Sequence, residues 1–120
     1  MSIINHQDNL ASYITRDGSE IKELMHPDKH GNKNQSLAEA IVKPGCSTLL
    51  HLHHKSEELY YITQGKGIIY LGETTESVYR GHVICIPPNT PHKIENTGHE
   101  NLTILCCCSP AYSHNDTELL

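Results

Sequence analysis

Short segments of alternating apolar and polar residues run through most of the chain, and turn residues separate them. Runs such as ELYYIT, IIYLG, HVICIP and LTILCCCS are each bounded by Gly, Pro, Asn or Ser, at intervals of roughly 10 residues. This spacing of short strands is typical of a β-sandwich or β-barrel. No long segment has the periodicity of an amphipathic helix. The pattern therefore predicts an all-β fold in one domain, residues 1–120.

The two ends of the chain are less regular than its middle. Asp17 and Gly18 lie between two alternating segments, which is a hairpin-turn signal. Residues 26–35 are polar and contain Pro and Gly, so we expect an exposed loop there. SLAEAIV and CSTLLHLH then predict strands on either side of a Pro-Gly turn. The tail after residue 109 could close the barrel or lie against a partner subunit.

Charge and composition limit the partners that we expect. The formal net charge is −5, with lysine and arginine scattered along the chain, so neither nucleic acid nor an anionic membrane surface is an expected partner. No apolar run approaches the roughly 20 residues that span a bilayer. The N-terminus lacks the pattern of a signal peptide. We therefore expect a cytoplasmic protein.

The five cysteines do not have the pattern of a disulfide framework or a zinc ribbon, because their number is odd and three are adjacent. In the alternating series Leu102, Ile104, Cys106 and Cys108, cysteine takes the place of an apolar strand residue. We expect reduced thiols that pack as small apolar side chains. On this basis Cys106 and Cys108 face the barrel interior.

The stretch HLHHKSEELYYITQG is rich in imidazole and carboxylate groups. Side chains alternate faces along a strand, so His51 and His53 share one face and the leucines between them take the other. We expect one of these faces to pack in the core and the other to line a cavity. A short turn can bring Glu57 or Glu58 of the next strand to the two histidines. Such a group suits a divalent transition metal, although unliganded histidines are the alternative.

A second stretch, GHVICIPPNTPHKIEN, contains a further histidine in a strand-turn-strand context. Two prolines end the first strand, Asn89 makes the turn, and His92 enters the next strand. Asparagine tolerates the left-handed conformation that such a turn can require.

Together the two stretches resemble the sequence motifs of the cupin superfamily, in particular of small single-domain bacterial cupins. Residues 45–65 match the first motif, G-x5-H-x-H-x3–4-E-x6-G. Residues 81–96 match the second, G-x5-P-x-G-x2-H-x3-N, except that Asn89 stands where the family has glycine. The resemblance implies a jelly-roll β-barrel with a metal site inside its mouth.

The metal ligands of the family correspond to His51, His53, Glu58 and His92. The distance from Glu58 to the motif's last glycine favours Glu58 over Glu57. The implied cofactor is one divalent transition metal ion, which could be Mn, Fe, Ni, Cu or Zn.

The implied function is a metal-dependent enzyme of the dioxygenase or isomerase type that acts on a small organic substrate. Three histidines and one glutamate leave coordination positions open for that substrate. Glu58 could also act as a base. Tyr60 shares its face of the strand, where it could donate a hydrogen bond to substrate or simply pack. These two residues are the candidate catalytic groups.

Two alternatives remain open, and both keep the fold. The first is a non-catalytic module that binds a sugar or another metabolite, since small cupins are often described as sugar-isomerase-like, for example mannose-6-phosphate isomerase-like, by analogy of fold. The second is a structural cupin with a remnant site. The resemblance also implies a homodimer, for which residues 1–25, the N-terminal strands or arm, are the natural contact segment.

Overall fold

A computed structural model of the protein describes residues 3–120. In this range the chain is built from eleven β-strands with very little helix, which confirms the all-β prediction. The strands are β1 (Ser12–Ile14), β2 (Glu20–Met25), β3 (Ser36–Val42), β4 (His51–His53), β5 (Glu57–Gln64), β6 (Lys66–Leu71), β7 (Thr74–Tyr79), β8 (Val83–Ile86), β9 (His92–Asn96), β10 (Leu102–Ser109) and β11 (Thr117–Leu119). One single-turn helix, α1, spans Pro27–His30, and two 3-10 turns span Gln7–Asn9 and His114–Asp116.

The strands form two antiparallel sheets that together make a jelly-roll barrel. The larger sheet has the order β1-β2-β3-β10-β5-β8, and the smaller has the order β11-β4-β9-β6-β7. Strand β10 lies between β3 and β5, and β9 lies between β4 and β6. The barrel is therefore closed by pairings between strands that are far apart in the sequence.

Alternate residues of the central strands point into the barrel and form its core. On β5, Tyr60 and Ile62 are buried, whereas Leu59 and Tyr61 between and beside them are exposed. The most deeply buried apolar residues are Ile62, Ile86, Ile94, Leu102 and Ile104. Cys106 and Cys108 continue the buried series on β10, and all five cysteines are free. The prediction that these two cysteines pack inside as small apolar residues is confirmed.

The strand that carries the first two histidines is shorter than predicted. Only His51–His53 is a strand, and residues 46–50 meet the sheet through an isolated bridge between Ser47 and Glu95 and a few separate hydrogen bonds. The reason is a competing hydrogen bond, because the Leu49 amide donates to the carbonyl of Asp17 at 2.7 Å. This bond fastens the connection to the β1–β2 turn and so places that turn beside β4.

The expectation that the leucine face of β4 packs in the core is wrong. Leu50 is exposed and Leu52 is half-buried, while His51 and His53 are buried. The barrel has one interior, which holds both the apolar core and the cavity, and the histidines already occupy that side. The leucines therefore lie on the outer surface.

The predicted loop at residues 26–35 contains helix α1. The His26 imidazole caps it by accepting a hydrogen bond from the Asp28 amide at 3.1 Å, and Pro27 stands at the first turn. Gly31 ends it with a φ of 88°, the left-handed conformation that glycine adopts without strain. No helix within residues 3–120 is long and apolar enough to cross a membrane.

The C-terminal tail closes the barrel of its own chain. Strand β11 pairs with β4, and the Asp116 carboxylate accepts hydrogen bonds from the backbone amides of Lys55 and Ser56 at 2.9 and 3.1 Å. Of the two roles considered for this segment, the structure shows the closing arm. The N-terminal strands likewise pair within the chain, through β1–β2 and β2–β3, and Met1 and Ser2 lie outside the described residues.

Candidate metal centre

Three histidines from two neighbouring strands meet inside the barrel. His51 and His53 lie on the inner face of β4, and His92 begins β9 directly opposite His51 in the ladder. One ring nitrogen from each lies within 4.8 Å of the others. All three side chains are buried, and His92 is fully inaccessible to solvent. The Asn89 turn positions His92, since Asn89 has a φ of 61° and its amide donates to the carbonyl of His53 at 2.7 Å.

The outer nitrogen of each imidazole is held by an acceptor in the surrounding structure. His51 Nδ1 lies 2.8 Å from the carbonyl of Leu49, and His92 Nδ1 lies 2.9 Å from the carbonyl of Thr90. His53 Nδ1 lies 2.9 Å from the Thr117 hydroxyl. That hydroxyl donates its own proton to the carbonyl of Ser113, so it accepts from His53. We therefore place the ring proton on Nδ1 in all three histidines, which leaves each Nε2 with a free lone pair.

Glu58 lies beside the histidines on the neighbouring strand. Its Oε1 is 3.1 Å from His53 Nε2 and 3.5 Å from His92 Nε2. Its Oε2 accepts a weak hydrogen bond from the Cys108 thiol at 3.4 Å. Glu57, the alternative carboxylate, is exposed on the opposite face of β5. Burial alone would raise the pKa of Glu58, but hydrogen bonds and charge interactions with His53 and His92 lower it to about 2 when these two imidazoles are protonated, so Glu58 is a carboxylate whenever a positive charge occupies the cluster.

This arrangement fits a cation at the centre of the cluster. An imidazole that keeps its proton on Nδ1 cannot donate from Nε2, yet two such nitrogens face the Glu58 carboxylate. His92 Nε2 is buried and has no hydrogen-bond partner in residues 3–120. Burial and the neighbouring His92 lower the pKa of His51, which favours the neutral form that binds metals. Imidazole nitrogen and carboxylate oxygen together suit a first-row transition metal.

A small cavity adjoins the cluster, and Tyr60 and Thr48 line it together with strands from both sheets. Its volume is about 50 Å³, which is room for on the order of four water molecules. Tyr60 is buried, and its burial and the Glu58 carboxylate raise its pKa, so it keeps its proton and can only donate. The cavity therefore suits a compact ligand that lies against the metal cluster.

The cavity is also lined by polar residues that the sequence analysis did not place there, among them Tyr13, Asp17, Glu23 and Tyr112. Asp17 Oδ2 lies 3.8 Å from His51 Nε2, and its Oδ1 accepts from the amide and hydroxyl of Ser19 at 3.0 and 2.6 Å. The sequence marked Asp17 only as a turn residue. For Tyr13 and Glu23 the sequence did contain a signal. Side chains alternate between the two faces along β1 and β2, and this alternation puts both residues on the inner face.

Two other histidines near the motifs lie outside the cluster. His54 is half-exposed at the rim, with Nε2 3.3 Å from Glu118 and Nδ1 3.2 Å from the Asn89 side chain. His82 accepts from the Tyr79 amide at 2.9 Å and so holds the turn between β7 and β8. Neither lines the cavity.

Comparison with known proteins identifies relatives over the whole chain. The sequence model of the Cupin domain family matches residues 38–108, which include both motifs. MJ1618 of Methanocaldococcus jannaschii, an uncharacterized protein, is 54% identical over 121 residues, which cover 100% of this chain and 97% of that protein. The oxalate-binding protein of Thermotoga maritima is 34% identical over 84 residues, which cover 70% of this chain and 65% of that protein.

The fold is also similar to that of a solved cupin-type enzyme. The structure of Lactobacillus farciminis oxalate decarboxylase in its formate complex superimposes with a TM-score of 0.82 at 26% identity. The superposition covers 96% of this chain but only 35% of the decarboxylase chain. The chain therefore corresponds to about one third of that enzyme, and the similarity applies to the barrel.

Proposed function

This chain belongs to the cupin family, and we propose that it binds one divalent transition metal ion. The ligands would be His51, His53, Glu58 and His92. The observation that carries the proposal is the orientation of the three buried imidazoles. Each Nδ1 is tied to an acceptor, each Nε2 turns inward, and the Nε2 of His92 has no partner. A bound cation satisfies all of these groups at once.

The function that this site supports best is a metal-dependent enzyme that acts on a compact organic substrate. The bound ion would supply Lewis-acid polarisation of a substrate oxygen or, with a redox-active metal, chemistry with dioxygen. Of the isomerase and dioxygenase types, the position of Asp17 favours the first. Its Oδ2 is free beside His51, while its Oδ1 is held by Ser19. A fixed carboxylate at the edge of a metal cluster can remove and return a substrate proton.

Tyr60 and Glu58 complete the proposed machinery. Tyr60 keeps its proton because of its burial and can donate a hydrogen bond to a substrate oxygen. Glu58 places its Oε1 beside the Nε2 atoms of His53 and His92, where all three can bind one cation. We therefore assign proton transfer to Asp17 rather than to Glu58, whose Oε1 faces the proposed metal position.

Proton exchange with solvent tests the isomerase-type reaction directly. The metal-free protein is loaded with Mn, Fe, Ni, Cu or Zn and incubated in D₂O with neutral two- to four-carbon hydroxyketones and hydroxyaldehydes. We expect deuterium at the carbon beside the carbonyl with at least one ion, detected by NMR. Asp17→Asn should keep the Ser19 hydrogen bonds and the metal but lose roughly 10²–10⁴-fold in exchange rate. Oxygen consumption without deuterium incorporation would instead identify the dioxygenase type.

A non-catalytic binding module is the second candidate. The name of the Thermotoga maritima relative, an oxalate-binding protein, supports it. Saturable binding of a metabolite to the metal-loaded protein without any turnover would favour this candidate. Steady product formation that depends on Asp17 would exclude it.

We further propose that the protein is a homodimer with a small-molecule substrate as its other partner. The outer face of the larger sheet supports this, because Leu59, Tyr61 and Val83 are exposed there on the paired strands β5 and β8. Light scattering should give twice the chain mass for the wild type and a monomer for Tyr61→Glu. A wild type that is monomeric at working concentration would contradict the proposal.

A cytoplasmic location is the remaining part of the proposal. The five free cysteines support it, since exposed thiols such as Cys46 and Cys85 persist in a reducing compartment. Alkylation of intact cells before lysis, followed by mass spectrometry, should find these thiols reduced. Disulfide-linked Cys46 or Cys85 in those cells would argue against it.

A further inference from the structure

The cavity has a second polar group on the N-terminal hairpin, formed by Tyr13 on β1 and Glu23 on β2. The Tyr13 hydroxyl donates to Glu23 Oε1 at 2.9 Å. Only 7% of Glu23 is exposed, and its Oε2 is buried without a hydrogen-bond partner in the described part of the chain. Both residues line the same cavity as the metal cluster. The mechanism proposed above does not use either of them.

An unpaired carboxylate oxygen is unusual in a protein interior. Removing such an oxygen from water without giving it a donor is destabilising. Tyr13 has only one proton to donate, and burial together with Glu23 raises its pKa, so that proton stays on the hydroxyl. Tyr13 therefore fixes one oxygen of the carboxylate and leaves the other as an unpartnered acceptor on a residue that lines the cavity.

The charges around the cavity decide which ligands can use this acceptor. Its lining residues within 3–120 include three carboxylates, Asp17, Glu23 and Glu58, but no lysine or arginine. A divalent cation would offset at most two of these three charges. A ligand with two negative charges, such as a dicarboxylate, would then meet an excess of protein carboxylates in a region of low dielectric, and this repulsion would weaken its binding.

We propose that Glu23, oriented by Tyr13, binds an N–H or O–H donor of a compact neutral or cationic ligand, and that the cavity discriminates against dicarboxylates. The proposal deepens the proposed function, because it rests on the other end of the same ligand meeting the metal cluster. It also separates this chain from its relative named for oxalate. Glu23 would thereby select the ligands that the cavity accepts.

Four probes of similar size test the proposal: ethanolamine, ethylene glycol, glycolate and oxalate. Dissociation constants are measured by ligand-observed NMR on metal-free and Zn²⁺-loaded protein. We expect ethanolamine and ethylene glycol, the two donor probes without a carboxylate, to bind more tightly than oxalate to both the metal-free and the Zn²⁺-loaded protein. Ethanolamine binding tighter than ethylene glycol would identify an ammonium group as the preferred donor, and the reverse order a hydroxyl.

Substitution of Glu23 provides the specific readout. Glu23→Gln keeps an oxygen for Tyr13 but removes the charge, so ethanolamine should bind at least tenfold more weakly, the factor expected for loss of a charge-assisted hydrogen bond. Glu39→Gln is the matched control, since Glu39 lies on β3 of the same sheet but does not line the cavity. Its affinities should match the wild type.

Thermal unfolding without ligand separates a binding role from a structural one. Because the Glu23 carboxylate has an unsatisfied oxygen, Glu23→Gln should leave the melting temperature unchanged or raise it. A melting temperature of Glu23→Gln clearly below that of Glu39→Gln would overturn the proposal. Wild-type affinity for ethanolamine in Glu23→Gln would also overturn it. So would oxalate that binds as tightly as ethanolamine, or the absence of binding by both ethanolamine and ethylene glycol.

The same samples distinguish failure of this inference from failure of the proposed function. If the protein takes up no metal but still binds ethanolamine through Glu23, only the proposed metal function fails. If it binds Zn²⁺ normally and Glu23→Gln changes no affinity, only the role of Glu23 fails.

Discussion

Thr117 provides a test of the metal centre that leaves every proposed ligand in place. Its hydroxyl accepts from His53 Nδ1 at 2.9 Å and so keeps the ring proton on the outer nitrogen. In Thr117→Val this acceptor is lost at nearly constant volume. The His53 proton can then move to Nε2, where it would donate to Glu58 Oε1, 3.1 Å away. A metal must displace that proton before it can bind.

We expect Thr117→Val to weaken metal binding by roughly 10–100-fold, the usual effect of removing the hydrogen-bond partner of a metal-bound histidine. In free energy this is about 1.4–2.8 kcal/mol. Competition titration of metal-free protein against a chromophoric chelator, with Zn²⁺ and Mn²⁺ in turn, measures the change.

The matched control is Thr103→Val, which alters another buried threonine outside the cavity. It should bind both ions like the wild type. Folded Thr117→Val protein with undiminished affinity would show that the orientation of His53 does not matter, and the reasoning about the three imidazoles would then be wrong.

Two further predictions concern stability. Metal-free protein should lose stability as the pH falls, because the pKa of His51 is lowered by burial and that of Glu58 is lowered from 4.5 to about 2 despite its burial. The unfolded state binds a proton at His51 first, below about pH 6.5. The unfolded state also binds a proton at Glu58 between pH 4.5 and about 2. This protonation should remove on the order of 3 kcal/mol of unfolding free energy. Urea titrations at several pH values check the direction, and unchanged stability from pH 7 to 3 would contradict it. Separately, Asn96→Ala should destabilise by about 3 kcal/mol in chemical denaturation, because the buried amide makes three hydrogen bonds of 2.8 Å. The exposed Asn101→Ala serves as the control, and an equal effect of the two would refute this account of Asn96.

Local patterns in the sequence predicted the strands and the inner face of the histidine segment. The motif spacing favoured Glu58 over Glu57, and alternation along β5 puts these two residues on opposite faces, with Glu57 exposed and Glu58 buried. The turn at Asn89 adopts the left-handed conformation that asparagine tolerates. These features depend on the period of a strand and on turn chemistry, which neighbouring residues determine.

Features that depend on contacts between distant residues were not predictable in the same way. The truncation of β4 depends on the carbonyl of Asp17, and the tautomer of His53 depends on Thr117, which is 64 residues away. The role of Glu23 required knowing that the N-terminal hairpin forms one wall of the cavity. Nothing in the local pattern around these residues specifies their partners.

The metal content of protein purified without a metal-affinity column shows most directly whether the histidine cluster binds a transition metal. Wild type, His92→Ala and the exposed-histidine control His99→Ala are compared by elemental analysis, before and after incubation with each candidate ion and gel filtration. We expect about one transition metal ion per chain in the wild type and in His99→Ala, and a large loss in folded His92→Ala. Equal metal content in all three proteins, or no uptake of any ion by the wild type, would contradict it.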